Sequence, residues 1–360
     1  MKRMPSRASL RKAAIRLTLD ALYFTGAFRV LRGSCGGVGV ILTLHRVRPS
    51  RQDAFQPNRS LEITPEFLEA VIREFRRQGL EFISLDEMHR RLCEGCFLNR
   101  FACITFDDGY RDNLEYAYPI LRHHQVPFAI FVVSDFADWC GHLWWITLES
   151  VVSENDHTTI TIEGVPQTFA CRSVVEKDAT VRAIHQIVSR LPYEAEVRML
   201  AELAAMMGID TAADCSAACM NWKELSRLTA DPLVTIGAHT VSHPRLRKLT
   251  LAAAWREMEA SVARIESMLG IRPRHFAYPF GDASAVGLRE FGYAAELGFK
   301  TALTTRPGVL SAGDRNQFTS LPRISVNGDY QRLRHLRVLE AGASTLAWNG
   351  IRWLKGASTR

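Results

Sequence analysis

The chain has 360 residues, 47% of them apolar and 23% charged, a make-up able to bury a sizeable core. Its formal charge of +7 comes from the ends: residues 1–32 carry eight Lys or Arg against the lone Asp20, and residues 330–360 carry six against Glu340. The rest holds 31 basic and 36 acidic residues, which argues against a nucleic-acid partner, and no run of about 20 uncharged apolar residues exists to cross a membrane as a helix.

Within residues 1–35, Leu10, Ala14, Leu17, Ala21, Phe24, Phe28 and Leu31 recur at alternating spacings of four and three, the stripe of a basic amphipathic helix. With Arg11, Lys12 and Arg16 close by, this helix either lies on an anionic membrane surface or packs on the main domain. Asp20 and Arg29 interrupt any signal-peptide core, no A-x-A-like site follows, and Arg32 spoils a lipoprotein motif at Cys35. A cytoplasmic or peripheral-membrane location is expected, with export left open but unsupported.

Gly36-Gly37-Val38-Gly39 opens a strand, Val40 to Leu44, that ends at His45. Thr64-Pro65-Glu66 starts a helix with the stripe Phe67, Leu68, Val71, Ile72 and Phe75, and Ser84 with Glu87 predicts a capping box on a second. Cys93-Glu94-Gly95-Cys96 is a solitary C-x-x-C and a weak metal or redox signal; the eight cysteines show no disulfide framework. A buried strand, Ala102 to Phe106, with Cys103 as a small hydrophobe, delivers Asp107-Asp108-Gly109-Tyr110; a helix over 111–124 and a strand over 128–133 follow.

Residues 135–230 break this rhythm and read as a lid or subdomain inserted into a domain spanning 36–330. Leu143-Trp144-Trp145 starts a helix, 158–162 and 167–171 form a hairpin around Gly164, and helices cover 173–191 and 193–207. The two tryptophans either stack on sugar faces or, the stronger default, pack in a core. Beyond 230 the alternation resumes, with a strand over 234–238 ending at His239, helices over 250–269 and 284–297, and strands at 275–279 and 300–304. Repeated β-α units predict parallel strands and a barrel with its chemistry on the C-terminal face. Residues 331–360 form a basic C-terminal segment in which His335 reads as a surface residue.

Asp107 and Asp108 are neighbours at a strand end, so their side chains diverge. His239 and His243 lie four apart beyond another strand, and Pro244 keeps His243 out of helical geometry. One carboxylate and two imidazoles can hold a zinc-like ion, with Co²⁺, Ni²⁺ or Mn²⁺ suited to the same ligands. The second carboxylate remains free to take a proton from water.

Thr105-Phe106-Asp107-Asp108-Gly109 and His239-Thr240-Val241-Ser242-His243-Pro244 resemble the first two motifs of the NodB-homology polysaccharide deacetylases, carbohydrate esterase family four. Phe276-Ala277-Tyr278-Pro279-Phe280-Gly281 resembles a variant of the third, and Leu44-His45-Arg46-Val47 and Leu321-Pro322-Arg323-Ile324 resemble flanking elements. The resemblance covers roughly residues 38–327. It implies a deformed (β/α)₇ barrel and metal-dependent removal of an N-acetyl or related acyl group from an amino sugar of a polysaccharide, oligosaccharide or lipid-linked glycan. It assigns the metal to Asp108, His239 and His243, the general base to Asp107, and substrate or oxyanion contacts to Tyr110, Tyr278 and Arg323. The third-motif arginine of many relatives is Ala277 here; Arg274 or Arg323 could replace it. The late Leu-x-His acid is not recognisable, and His45 is the candidate proton donor. The alternative is a catalytically weak carbohydrate-binding relative that keeps the metal; a membrane-surface scaffold is a third reading.

Overall fold

The computed structural model describes residues 7–162, 164–343 and 346. Seven parallel strands close into a barrel: β1 Gly39–Leu44, β2 Phe101–Phe106, β3 Phe128–Val132, β4 Val234–Ala238, β5 His275–Ala277, β6 Thr301–Pro307 and β7 Leu321–Ser325. They pair in chain order, and β7 and β2 flank β1 to complete the ring, with Leu42 opposite both Ile104 and Ile324. The expected deformed (β/α)₇ architecture is present, and Glu81–Phe82 adds a short outer strand on β2.

Period-two alternation sorts each strand into two cores. Ile41, Phe101, Cys103, Phe131, Ala277, Leu303 and Leu321 fill the barrel interior. Val40, Leu42, Ile104, Phe106, Phe276 and Tyr278 face the surrounding helices. On β2 the inward set Phe101, Cys103 and Thr105 continues to Asp107, so strand register alone aims that carboxylate at the barrel axis. On β5 the same parity sends Tyr278 outward.

Between β3 and β4 the chain forms helices Trp144–Glu154, Val174–Arg190 and Tyr193–Met206 and the antiparallel hairpin His157–Ile162/Val165–Ala170. Thr211–Ala218 and Trp222–Leu228, which the sequence pattern missed, are also helical. All but Trp222–Leu228, which packs in the main core, share a core containing Trp144, Trp145, Leu148, Ile184 and Leu200 that reaches Phe55 and Tyr110. Both tryptophans are therefore packing residues.

The N-terminal stripe does not form one helix. Helix Arg7–Phe24 ends at Gly26, whose φ of 74° breaks the run, and Ala27–Cys35 follows. The face packed inward holds Leu19 and Phe28, while Leu10, Leu17 and Phe24 point outward. His335 is buried, contrary to the surface expectation: its Nε2 meets Asp20 at 2.8 Å, tying the two chain ends together. The helix expected over 284–297 spans Leu288–Glu296. At Ser84 only half the capping box forms, because Glu87 turns its carboxylate to Arg90 and Arg91. Among the described residues no helix is long and apolar enough to cross a membrane.

Candidate active site

The loops after β1, β2, β4 and β5 converge at the C-terminal mouth of the barrel. The last three are strained: Asp108, Thr240, His243 and Phe280 all adopt positive φ, between 61° and 71°. Non-glycine residues hold such angles at a cost of order 1 kcal/mol or more, tolerated where the surroundings fix a functional geometry. Asp108 is thus left-handed, not the extended residue expected from its position beside a strand. The twist separates it from Asp107 while both stay buried at the barrel mouth.

Asp108, His239 and His243 come together, each offering a ligand atom within 4.8 Å of the others. Asp108 Oδ1 lies 3.5 Å from His239 Nε2 and 3.3 Å from His243 Nε2. It is buried and accepts no hydrogen bond. An orphaned carboxylate oxygen facing two imidazole nitrogens is a set of donors suited to a divalent cation. The third motif contributes through its backbone, as His239 Nδ1 is 2.6 Å from the Ala277 carbonyl. That contact makes Nδ1 the protonated nitrogen and leaves the Nε2 lone pair facing Asp108. His243 is caged by Phe136, Trp145 and Phe280, with ring centroids 5.9, 5.3 and 5.0 Å away. Burial lowers its pKa despite Asp108, favouring the neutral form that ligates metals.

Asp107 stands apart from this cluster and is gripped by Arg323. The guanidinium donates from Nη1 to Oδ1 at 2.8 Å and from Nη2 to Oδ2 at 2.7 Å, a bidentate pair with both partners buried. Nη1 also reaches Thr105 Oγ1 at 3.2 Å, and Nε donates to the Thr304 carbonyl at 2.9 Å beside an irregularity in the β6–β7 register. Burial, the largest influence on Asp107, works to raise its pKa, but Arg323, His239 and His45 hold it below the ordinary carboxylate value. Of the two candidates to replace the arginine missing at Ala277, Arg323 is the one that reaches Asp107. Four of its five N–H donors are committed to Asp107, Thr105 and Thr304 and the residue is buried, so its contacts fix Asp107 and none of them shows the substrate or oxyanion contact expected of it. Arg274 pairs with Asp86 and stays out of the site.

Tyr278 also falls outside. Its ring packs on Phe276 and Phe291, and its hydroxyl donates to the Thr319 carbonyl at 2.8 Å. Tyr110 is inside: its hydroxyl accepts from Trp145 Nε1 at 2.9 Å and Arg46 lies over its ring at 4.7 Å. Flanking bonds from Arg111 N to Ala218 O and Met220 N to Gly109 O make Tyr110–Cys219 a non-hydrogen-bonded pair, directing the Tyr110 N–H away from that strand. His45 is half-buried at the end of β1, and its charge bears on Asp107, Asp108 and His243.

Sequence reasoning missed Glu257 on helix Leu251–Leu269, which braces the histidine loop. Its Oε2 accepts from Val241 N at 2.9 Å and Ser242 N at 3.0 Å, and its Oε1 from Ser242 Oγ at 2.7 Å. It also missed Arg111, which ties the second strand-end loop to Glu224 and to the Cys219 carbonyl. Neither carries a local signal. The Cys93–Cys96 pair is exposed and free, and among the described residues no metal-ligand group other than the Asp108 cluster forms.

Residues 95–165 and 177–302 match the family profile described as Polysaccharide deacetylase. The chain belongs to the polysaccharide deacetylase family. Solved structures of similar fold include the Streptococcus pyogenes deacetylase PplD in complex with acetate, at TM-score 0.56 and 19% identity over 83% of this chain and 97% of that one. A de-N-acetylase from Aggregatibacter actinomycetemcomitans matches at 0.53 and 13%, over 83% and 99%. IcaB from Ammonifex degensii matches at 0.52 and 17%, over 85% and 98%. No curated protein sequence matches the chain. Within this polysaccharide deacetylase the first two motifs build the site directly, and the third supplies the carbonyl that orients His239.

Proposed function

We propose that this protein is a metal-dependent hydrolase that removes an N-acetyl or related acyl group from an amino sugar of a polysaccharide, oligosaccharide or lipid-linked glycan. The observation that carries the reading is the Asp107–Arg323 pair standing beside the Asp108–His239–His243 cluster at one mouth of the barrel. Asp108, His239 and His243 would hold the ion, with Zn²⁺ the best match and Co²⁺, Ni²⁺ or Mn²⁺ alternatives. When bound, the ion supplies Lewis acidity, polarising the acyl carbonyl and lowering the pKa of water.

The side chains divide the remaining work. Asp107 takes the proton of the attacking water, and Arg323 fixes both of its oxygens so that the carboxylate cannot turn away. The Tyr110 N–H donates to the oxyanion that forms from the carbonyl. His45 delivers a proton to the departing amine. A catalytically weak binding relative is disfavoured, because a retained base–arginine pair has no use in binding alone. We assign the exposed face of the N-terminal helix to an anionic membrane surface.

Asp107→Asn is expected to lower acetate release from N-acetylated oligosaccharides by about 10²–10⁴-fold while sparing bound zinc measured by atomic emission. Unchanged turnover would reject the base, and full zinc content in Asp108→Ala would reject the ligand set.

A further inference from the structure

Beside the site, a cavity of ≈ 570 Å³ opens between the loop after β1 and the inserted helices. It adjoins the Asp108 cluster without containing it; Tyr110 lines it, as does Trp145, whose ring lies 5.3 Å from that of His243. Five cationic side chains, Arg46, Arg48, Arg51, Arg172 and Lys177, line it against Asp53, Glu62 and Glu149. Two of these carboxylates are already engaged. Glu149 accepts from Arg51 Nη1 and from Asn58 Nδ2, both at 2.7 Å. Glu62 lies 3.5 Å from Arg51 Nε and 3.9 Å from Arg48 Nη1. Arg46 is neutralised from outside the cavity by Asp112 at 2.7 Å.

Even so, Nη2 of Arg51 is buried without a hydrogen bond, and Nε has only the 3.5 Å ion pair with Glu62. Lys177 donates to the Ser153 carbonyl and lies 5.9 Å over the Phe55 ring, and forms no ion pair among the described residues. A buried guanidinium N–H lacking an acceptor carries a desolvation cost that a bound oxyanion would remove. Phe55 adds apolar wall of the kind on which a sugar ring packs.

Resting on the deacetylase reading, we propose that the substrate glycan is anionic. It carries a phosphate or carboxylate that sits on Arg51, Arg48 and Lys177 while its acylated nitrogen lies at Asp107. The two anions share the chemistry that recognises them, oxygens accepting from a guanidinium fork and an ammonium.

Three matched substrates test this: an N-acetylglucosamine oligomer with a terminal phosphate, the same oligomer with a terminal carboxylate, and the uncharged oligomer. At least one charged form should exceed the uncharged one in kcat/KM by about tenfold, with the gap narrowing at about 0.5 M NaCl. That preference should fall by about tenfold, through KM, in Lys177→Gln and Arg48→Gln; Arg51, whose partners tie the loop, is left intact. A stronger response to the phosphate identifies a phosphorylated glycan, and the reverse a uronate-type one. Equal turnover of all three by wild type and variants overturns the anion site and leaves deacetylation standing. No acetate from any oligomer, with calorimetric binding of the phosphate form that is lost in Lys177→Gln, overturns deacetylation and keeps the site. Neither acetate nor binding overturns both.

Discussion

Asp107 and Arg323 are two halves of one device, since among the described residues neither forms another ion pair. Removing Arg323 alone leaves a buried carboxylate uncompensated, so Arg323→Ala should lose about 3–5 kcal/mol in urea denaturation. Replacing both, as Asp107→Asn with Arg323→Met, should recover most of that stability while activity stays lost. A double variant no more stable than the single one would mean that Arg323 matters for packing rather than for charge. The sequence names Arg323 and Arg274 as replacements for the arginine absent at Ala277 but does not choose between them. The choice depends on β7 closing beside β1, which brings together residues 216 positions apart. Asp107 itself was legible because strand alternation aims it; Asp108 was legible in identity and not in conformation, since nothing local announces its φ of 71°.

At the scale of elements, the histidine loop is held from outside. Thr240 and His243 adopt left-handed backbone angles, and the bonds to Glu257 help to keep them there. Glu257→Ala should therefore weaken zinc binding by about 10–100-fold in a chelator competition, with Glu257→Gln retaining part of the affinity through its remaining amide oxygen. Equal zinc affinity in all three proteins would show that the loop is rigid without its brace. The strand–helix alternation around this loop was readable from hydrophobic periodicity. Glu257 was not, because on a long helix it looks like any solvated acid until the loop folds over it. His335 misled for the same reason: arginines on either side suggest a wet surface, yet the helix face it shares with Val338 is buried.

The same neighbourhood predicts a pH effect. Burial, then Glu257 and Asp138, push the carboxyl of Asp135 up to about 6 from the ordinary 3.8. A folded-state pKa above the unfolded value means that folding favours protonated Asp135. The resulting stabilisation is complete below about pH 4 and is lost as pH rises through about 6. Asp135→Asn, which is uncharged throughout, should raise Tm at about pH 7.5 and leave it nearly unchanged at about pH 4. A shift of equal size at both pH values would point to altered hydrogen bonding to the Cys140 region and not to charge.

For the whole molecule, the two basic ends are joined to each other and to the barrel. Glu340, fully buried, receives Arg32 and also Arg100 at 2.7 Å, while Asp20 receives Arg334 and His335. The positive ends that dominate the overall charge are thus partly spent on structure, which composition alone could not reveal. What remains unspent is one apolar face: Leu10, Leu17 and Phe24, seven apart on the first helix, are 53%, 70% and 74% exposed. Three large side chains in a row gain about 1.5–3 kcal/mol each on entering an apolar phase. Lys12 and Arg16 flank them, although Lys12 is partly neutralised by Asp329 at 2.6 Å. Apolar insertion should therefore outweigh electrostatic attraction at an anionic bilayer. Replacing Leu10, Leu17 and Phe24 with Ser should lower partitioning onto phosphatidylglycerol vesicles by at least about 10²-fold, with Tm lowered only slightly by the loss of the Phe24 ring from beneath Arg334, 5.6 Å away. Adding about 0.5 M NaCl should reduce wild-type partitioning far less than the triple substitution does. Flotation of the triple variant equal to wild type would remove the membrane from this face, and a large loss of Tm would place these residues in the structure instead.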